Sequence, residues 1–124
     1  MSEFKVSEAA ALLGVSDDTI RRWAEAGRLR LSGSPSTVDG VELAALAQEL
    51  AAEPGHSNSS ARNRITGIVT KVTKDGVMAQ VELQAGPFRI VSLMSREAAD
   101  ELELEPGKLA TASVKATTVV VEIP

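Results

Sequence analysis

Near its middle the chain reads Glu53-Pro54-Gly55-His56-Ser57-Asn58-Ser59-Ser60, a polar run with one Pro, one Gly and three Ser that has nothing to bury. The hydrophobic period changes across it, from helical before to alternating after. One continuous core is therefore excluded. The 124 residues are expected to form two small domains, 1–53 and 60–124, joined by a flexible linker at 54–59. A flexible run of about eight residues spans roughly 15–17 Å and holds no fixed angle, so the two parts are not expected to act as a rigid lever.

The first half carries helix signals. Ser7 is placed to cap a helix from Glu8 to Leu13 that Gly14 stops, and Ser16 to cap a second from Asp17 to Ala26 that Gly27 ends. Asp17 and Asp18 suit the positive end of the second helix. Leu43, Leu46, Ala47 and Leu50 recur at i, i+3, i+4 and i+7, which predicts a third helix from about Val41 to Ala52. Ile20 and Trp23 share a helix face, so Trp23 is expected in the core.

The second half alternates. Val77, Ala79, Val81 and Leu83 fall on one face, and so do Ile90, Ser92 and Met94. Five strands are expected: Arg64 to Thr73, Val77 to Gln84, Phe88 to Met94, Leu109 to Lys115 and Thr118 to Ile123. Lys74-Asp75-Gly76 and Ala85-Gly86-Pro87 read as hairpin turns, Ser95 as the cap of a short helix from Arg96 to Leu102, and Pro106-Gly107 as a turn. Five strands with one helix after the third is the layout of a Greek-key barrel of the OB type.

Composition removes several functions. With no Cys and its only His, His56, in the linker, the chain has no disulfide framework, thiolate site or nucleophile pair, and His56 is expected to have no role. No Gly-rich phosphate loop occurs either, so an enzyme is not expected. The charged N-terminus and short apolar runs point to a cytoplasmic protein without a membrane segment. Phe4, Trp23 and Phe88 are the only aromatics, and residues 54–124 balance eight basic against eight acidic side chains. A nucleic-acid-binding barrel would lack both stacking platforms and a basic track.

Charge does concentrate in the first half. Arg21, Arg22, Arg28 and Arg30 against Glu25 give a local +3 within a segment, residues 1–53, that nets -4. Arginine forks suit phosphates and guanine edges. The run VSEAAALLGVSDDTIRRWAEAGRL closely resembles the DNA-binding module of MerR-like and excisionase-type regulators. That resemblance implies a three-helix, winged helix-turn-helix fold over about the first fifty residues, double-stranded DNA as partner, and Ser16, Thr19, Arg21 and Arg22 facing DNA with Arg28 and Arg30 at the base of the wing. The wing residues Leu31-Ser32-Gly33-Ser34-Pro35-Ser36-Thr37 lack the further Arg and aromatic usual in such regulators. A single module is then expected to bind weakly, with a log–log salt slope no steeper than about -4, so several must act together.

Ser60-Ala61-Arg62-Asn63, Ile90-Val91-Ser92-Leu93-Met94-Ser95 and Lys115-Ala116-Thr117-Thr118-Val119 look like the signature of the Mop or molbindin domain, the molybdenum-pterin-binding, TOBE-like barrel. The resemblance spans residues 59 to 123 and implies binding of molybdate or tungstate at interfaces between associated barrels, often in hexamers. A tetrahedral dianion offers only acceptors, so its site needs N–H groups, hydroxyls and cations. Ser60, Ala61, Arg62, Asn63, Ser92, Lys115, Ala116 and Thr117 are the oxyanion-binding candidates, and none of the three segments holds a carboxylate. Together the resemblances imply an oxyanion-responsive, DNA-binding transcription regulator acting as a homo-oligomer. The alternative is an oligomeric molybdate or tungstate store with an accessory helix-turn-helix module.

Overall fold

The computed structural model describes residues 2–51 and 58–124. They divide into two compact units, Met1–Glu53 and Pro54–Pro124. Most of the expected linker, His56 included, lies outside the described residues.

The first unit places three helices against a small sheet. Its elements are β1 (Glu3–Lys5), α1 (Val6–Leu13), α2 (Asp17–Glu25), β2 (Leu31–Ser32), β3 (Thr37–Asp39) and α3 (Gly40–Leu50). The strands pair antiparallel in the order β1-β3-β2. Helix α1 begins at Val6, ahead of the expected Ser7 cap. Its first turn is closed instead by Glu8, whose Oε1 accepts the Lys5 backbone N–H at 2.9 Å. Gly14 ends it with φ +68°, and Val15 N–H closes back onto the Ala10 carbonyl at 3.0 Å. Ser16 caps α2 as expected, accepting from Thr19 N–H at 3.1 Å, while Asp39 caps α3 through Glu42 N–H at 3.2 Å.

Val6, Ala9, Ala10, Ile20, Leu29, Val38, Leu43 and Leu46 form the core of this unit, with Phe4, Leu13, Val15, Trp23 and Leu31 packed around it. Both sides of the turn between α1 and α2 contribute. The helix-turn-helix angle is thus fixed by burial, and α2 keeps its Arg-bearing face outside. Strand β1 was not legible in the sequence: three residues leading directly into a helix give alternation too little length to register.

The second unit is one curled antiparallel sheet. Strands β4 (Asn63–Lys74), β5 (Met78–Ala85), β6 (Phe88–Ser95) and β7 (Leu109–Val114) lie in the order β6-β5-β4-β7, with α4 (Arg96–Glu101) between β6 and β7. The long β4 pairs with β7 through residues 63–68 and with β5 through residues 68–74, its register shifting between Val69 and Lys71. This bulge turns β4 from one neighbour to the other. Asp75 caps the β4–β5 turn: its Oδ1 accepts from the N–H of Met78 and of Val77, each at 2.7 Å, and these bonds hold its carboxyl below the ordinary range. Ser95 caps α4 through Ala98 N–H at 3.1 Å.

Ala79, Val81 and Leu83 are buried as the alternation required, whereas Val77 sits in the turn, exposed. Val69, Val81 and Leu83 make the core, covered by Val72, Ile90, Met94, Leu104, Ala110 and Ala112. Phe88 is 70% exposed and is not a core residue.

The fifth strand is a correction. The chain leaves β7 through a 3-10 turn, Ala116–Thr118, in which Thr118 N–H bonds the Lys115 carbonyl at 3.0 Å. Beyond it, residues 119–124 belong to no strand, and Val120, Val121 and Ile123 are 81%, 85% and 91% exposed. Thr118 to Ile123 has the composition of a strand, but a strand also needs an edge to pair with, and composition does not supply one. The described sheet accordingly has four strands and two free edges, β6 and β7.

Gly67 shows how closely β4 and β5 approach. A Cβ on Gly67 would lie 2.4 Å from the Gln84 carbonyl oxygen, an overlap that backbone on both sides cannot relax cheaply. Gly67→Ala is expected to cost about 1–3 kcal/mol in thermal or urea unfolding. Gly76→Ala, in a turn with open space around the Cβ, is expected to be neutral or slightly stabilising. Equal stabilities for the two variants would show that the approach is not constraining.

Candidate functional site

Two groups of residues carry the chemistry, one in each unit. In the first, the face of α2 begins with a hydroxyl relay. Ser16 Oγ and Thr19 Oγ1 lie 3.0 Å apart, and Arg22 Nη2 donates to Thr19 Oγ1 at 3.2 Å. The three-residue spacing places these groups along one exposed edge of the helix. Arg21 is exposed beside them and has no ion-pair partner among the described residues.

Arg28 and Arg30 are placed differently. Arg28 stacks over Trp23, its guanidinium carbon 5.4 Å from the ring centroid, and its Nη2 lies 3.8 Å from Glu49 Oε2. Arg30 Nε lies 3.6 Å from Glu42 Oε1. Glu42 and Glu49 are seven residues apart, two turns on the same side of α3. Neither carboxylate was expected at this surface from the sequence, although their spacing within a predicted helix was the available signal. The β2–β3 hairpin stands where the wing was expected, at Leu31–Asp39.

In the second unit, pairing of β4 with β7 brings two of the three candidate segments together. Asn63 pairs with Val114, and its side-chain Nδ2 donates to the Val114 carbonyl at 3.1 Å. Ser60, Ala61 and Arg62 precede that link and Lys115, Ala116 and Thr117 follow it, so the two segments adjoin at one end of the β4–β7 ladder. Arg62 Nη1 donates to the Ser60 carbonyl at 3.1 Å, and Ala61 N–H to Ser59 Oγ at 3.1 Å. Ala61 is buried, while Ser60, Arg62, Lys115, Ala116 and Thr117 are exposed. Two cations and two hydroxyls with no carboxylate in either segment make a donor-rich surface that suits an oxygen dianion.

Ser92 is not on the β4–β7 ladder. It lies on β6, at the opposite edge of the sheet, opposite Val81 of β5. Its side of β6 lines a cleft of about 500 Å³ whose other wall is β7 as far as Val114. This cleft is mostly apolar, walled chiefly by Val81, Leu83, Ile90, Met94, Leu104 and Ala110. Lys108, the cation at its wall, is already donating to the Leu102 carbonyl at 2.6 Å. Ser92, Thr111 and Ser113 add hydroxyls to its lining, but Lys108 is the one cation among the described residues there. The cleft is better described as the inside of the sheet, left open where β6 and β7 do not meet. Among the described residues no group of three His, Cys, Asp or Glu side chains is arranged to hold a metal cation, and no helix is long and apolar enough to cross a membrane.

Comparison with known proteins agrees with this division. Residues 59–121 match the TOBE domain, and residues 3–50 match a helix-turn-helix domain. Molybdenum-pterin-binding protein MopA of Rhodobacter capsulatus is 38% identical over 90 residues, 68% of this chain and 34% of its own length. Molybdenum-pterin-binding protein 2 of Clostridium pasteurianum is 40% identical over 63 residues, 50% of this chain and 93% of its own. The chain thus spans about a third of MopA but nearly all of the clostridial protein. A molybdate binding protein from Sporomusa ovata superposes with a TM-score of 0.52 at 30% identity, covering 54% of this chain and all of its own. The cytoplasmic molybdate-binding protein ModG, with molybdate bound, gives 0.53 at 39% identity over 55% of this chain and 49% of its own.

Proposed function

The chain belongs to the TOBE domain family, and we propose that it is a cytoplasmic, molybdate-binding transcription regulator rather than an enzyme. In this reading the second unit binds molybdate or tungstate and the first, a winged module of the MerR type, reads double-stranded DNA. The observation that carries it is the joining of a helix-turn-helix domain to a TOBE domain in one chain. Ser60, Arg62, Lys115 and Thr117, with the backbone at Ala116, donate to the oxyanion, while Ala61, whose N–H is given to Ser59 Oγ, contributes a small side chain that permits close approach. Asn63 holds the two segments in register, and in this reading Ser92, on the other edge strand, is supplied to the oxyanion of another barrel across an interface.

Assembly follows from the open cleft. Val119, Val120, Val121 and Ile123 form an exposed apolar tail, and β6 and β7 present an apolar cleft with an unpaired backbone edge on each side. We assign the tail of a second copy to this cleft, adding a strand to one of the edges. As a strand the tail turns Val119, Val121 and Ile123 to one face, and burying these three β-branched side chains returns roughly 1.5–3 kcal/mol each before ordering costs. The resulting oligomer, of hexamer size in the proposal, gathers several helix-turn-helix modules. Of the four clustered arginines in each module, only Arg21 and Arg22 stand outside carboxylate pairs among the described residues, so avidity makes up for weak single modules. Oxyanions at the interfaces stabilise the oligomer and thereby favour DNA binding.

A molybdate store is the second reading, favoured by the pairing of Arg28 and Arg30 with Glu49 and Glu42, which leaves two of the four clustered arginines outside ion pairs among the described residues. Binding of labelled promoter duplexes with and without molybdate separates the two. Regulation predicts sequence-preferring binding that molybdate alters. Arg21→Ala with Arg22→Ala should then weaken it at least tenfold, since a bidentate hydrogen-bond pair to a base edge is worth about 1–3 kcal/mol. Anion binding with no preference among duplexes would establish the store instead.

A further inference from the structure

We propose that Glu42 and Glu49 of α3 form a built-in counter-charge that occupies Arg28 and Arg30 and holds down the affinity of each helix-turn-helix module for DNA. The proposal rests on the DNA-binding reading above. Its basis is a match of spacing: two carboxylates two helical turns apart face two arginines that alternate along the segment after α2. The separations are 3.8 Å and 3.6 Å, longer than a good charge-assisted hydrogen bond. Arg28, Arg30 and Glu49 are exposed and Glu42 half-buried. Such pairs are worth little to folding, because water and salt screen them. They are therefore replaceable, and a DNA phosphate is the anion that would replace the carboxylate.

A structural role for these pairs is the weaker account. The segment after α2 is already anchored by buried Leu29, by the Arg28 N–H bond to the Trp23 carbonyl at 2.9 Å, and by the stacking of Arg28 on Trp23. Thr37 Oγ1 also ties the β2–β3 hairpin to the Ser32 carbonyl at 3.2 Å. What the carboxylates add is charge. For Arg28 or Arg30 to reach a phosphate, a pair on α3 must be given up, so binding by one module is penalised while binding by several linked modules still succeeds. The counter-charge thus raises the dependence of DNA binding on assembly.

The test uses the full-length protein and a fluorescently labelled duplex without an operator, titrated at several salt concentrations. Glu42→Gln with Glu49→Gln is expected to tighten binding about tenfold and steepen the log–log salt slope by about one to two, as one or two further phosphates are neutralised. Glu49→Gln alone is expected to give about threefold. Glu97→Gln makes the same change in net charge per substitution at an exposed position of α4 in the second unit, outside the module that carries these pairs, and is expected to change affinity less than twofold. An unchanged or weakened affinity in the double variant, while Arg21→Ala with Arg22→Ala still lowers binding, would overturn the counter-charge and leave DNA binding standing. If neither the unmodified protein nor the double variant binds any duplex, the DNA-binding reading fails and the counter-charge with it.

Discussion

Shortening the chain to end at Thr118 is expected to convert an oligomer into monomers. The six residues removed, Val119–Pro124, belong to no strand of the described unit, and three of them are more than four-fifths exposed. Their removal therefore costs the isolated fold little but takes away the apolar tail that would fill the cleft of another copy. Sedimentation velocity or light scattering should show a monomer mass a little below 13.0 kDa for the shortened chain and a multiple of 13.0 kDa for the full one. Molybdate binding should fall with the mass, because Ser92 and the Arg62–Lys115 cluster are then never brought together. Val121→Asp is a milder version that keeps the length and places a charge where the apolar cleft requires burial. A monomeric full-length protein, or a shortened one of undiminished mass, would sink the exchange of tails.

Arg62→Ala and Lys115→Ala are each expected to weaken molybdate binding by about 10- to 150-fold, the equivalent of roughly 1.5–3 kcal/mol for one charge-assisted hydrogen bond. Together they should abolish it in calorimetric titration. Both side chains are exposed at the end of the β4–β7 ladder and take no part in the core, so the unfolding midpoint should move little. Asn63→Ala has a different signature. It breaks the Nδ2 bond to the Val114 carbonyl and should lower stability and affinity together, as expected of a residue that positions the two segments. If neither cation variant changed the affinity, the oxyanion would have to bind elsewhere, and the donor cluster would be an ordinary solvated surface.

The parts that could be read in advance share a property. Ser16, Gly14, Ser95 and the buried series Ala79, Val81 and Leu83 all act over a few residues, through a cap, a positive φ or a two-residue period. Local signals of this kind survive in a linear sequence. Helix α1 starts two residues ahead of the expected Glu8 because Glu8 outcompetes Ser7, placing its carboxylate on the Lys5 N–H. Thr118 to Ile123 reads as a strand because propensity reports composition and is silent about partners.

The candidate sites divide along the same line. Their residue types were legible: hydroxyls and cations without carboxylates in the 60–63 and 115–117 segments, and four arginines clustered after Thr19. Which of them act together was not. Asn63 meets Val114 across 51 positions of sequence, and Arg28 meets Glu49 across an intervening hairpin and helix. The amino-acid sequence by itself determined two units, the caps of α2 and α4 at Ser16 and Ser95, the hairpin turns, and the donor-only chemistry of the oxyanion segments, since each follows from short-range sterics and from the atoms a side chain carries. Only the tertiary structure decided that the 60–63 and 115–117 segments adjoin on the β4–β7 ladder while Ser92 lies on the other edge strand, that two arginines are held by α3, and that the sheet stays open, because strand order and the pairing of distant charges are set by what remains to be buried once the local elements have formed.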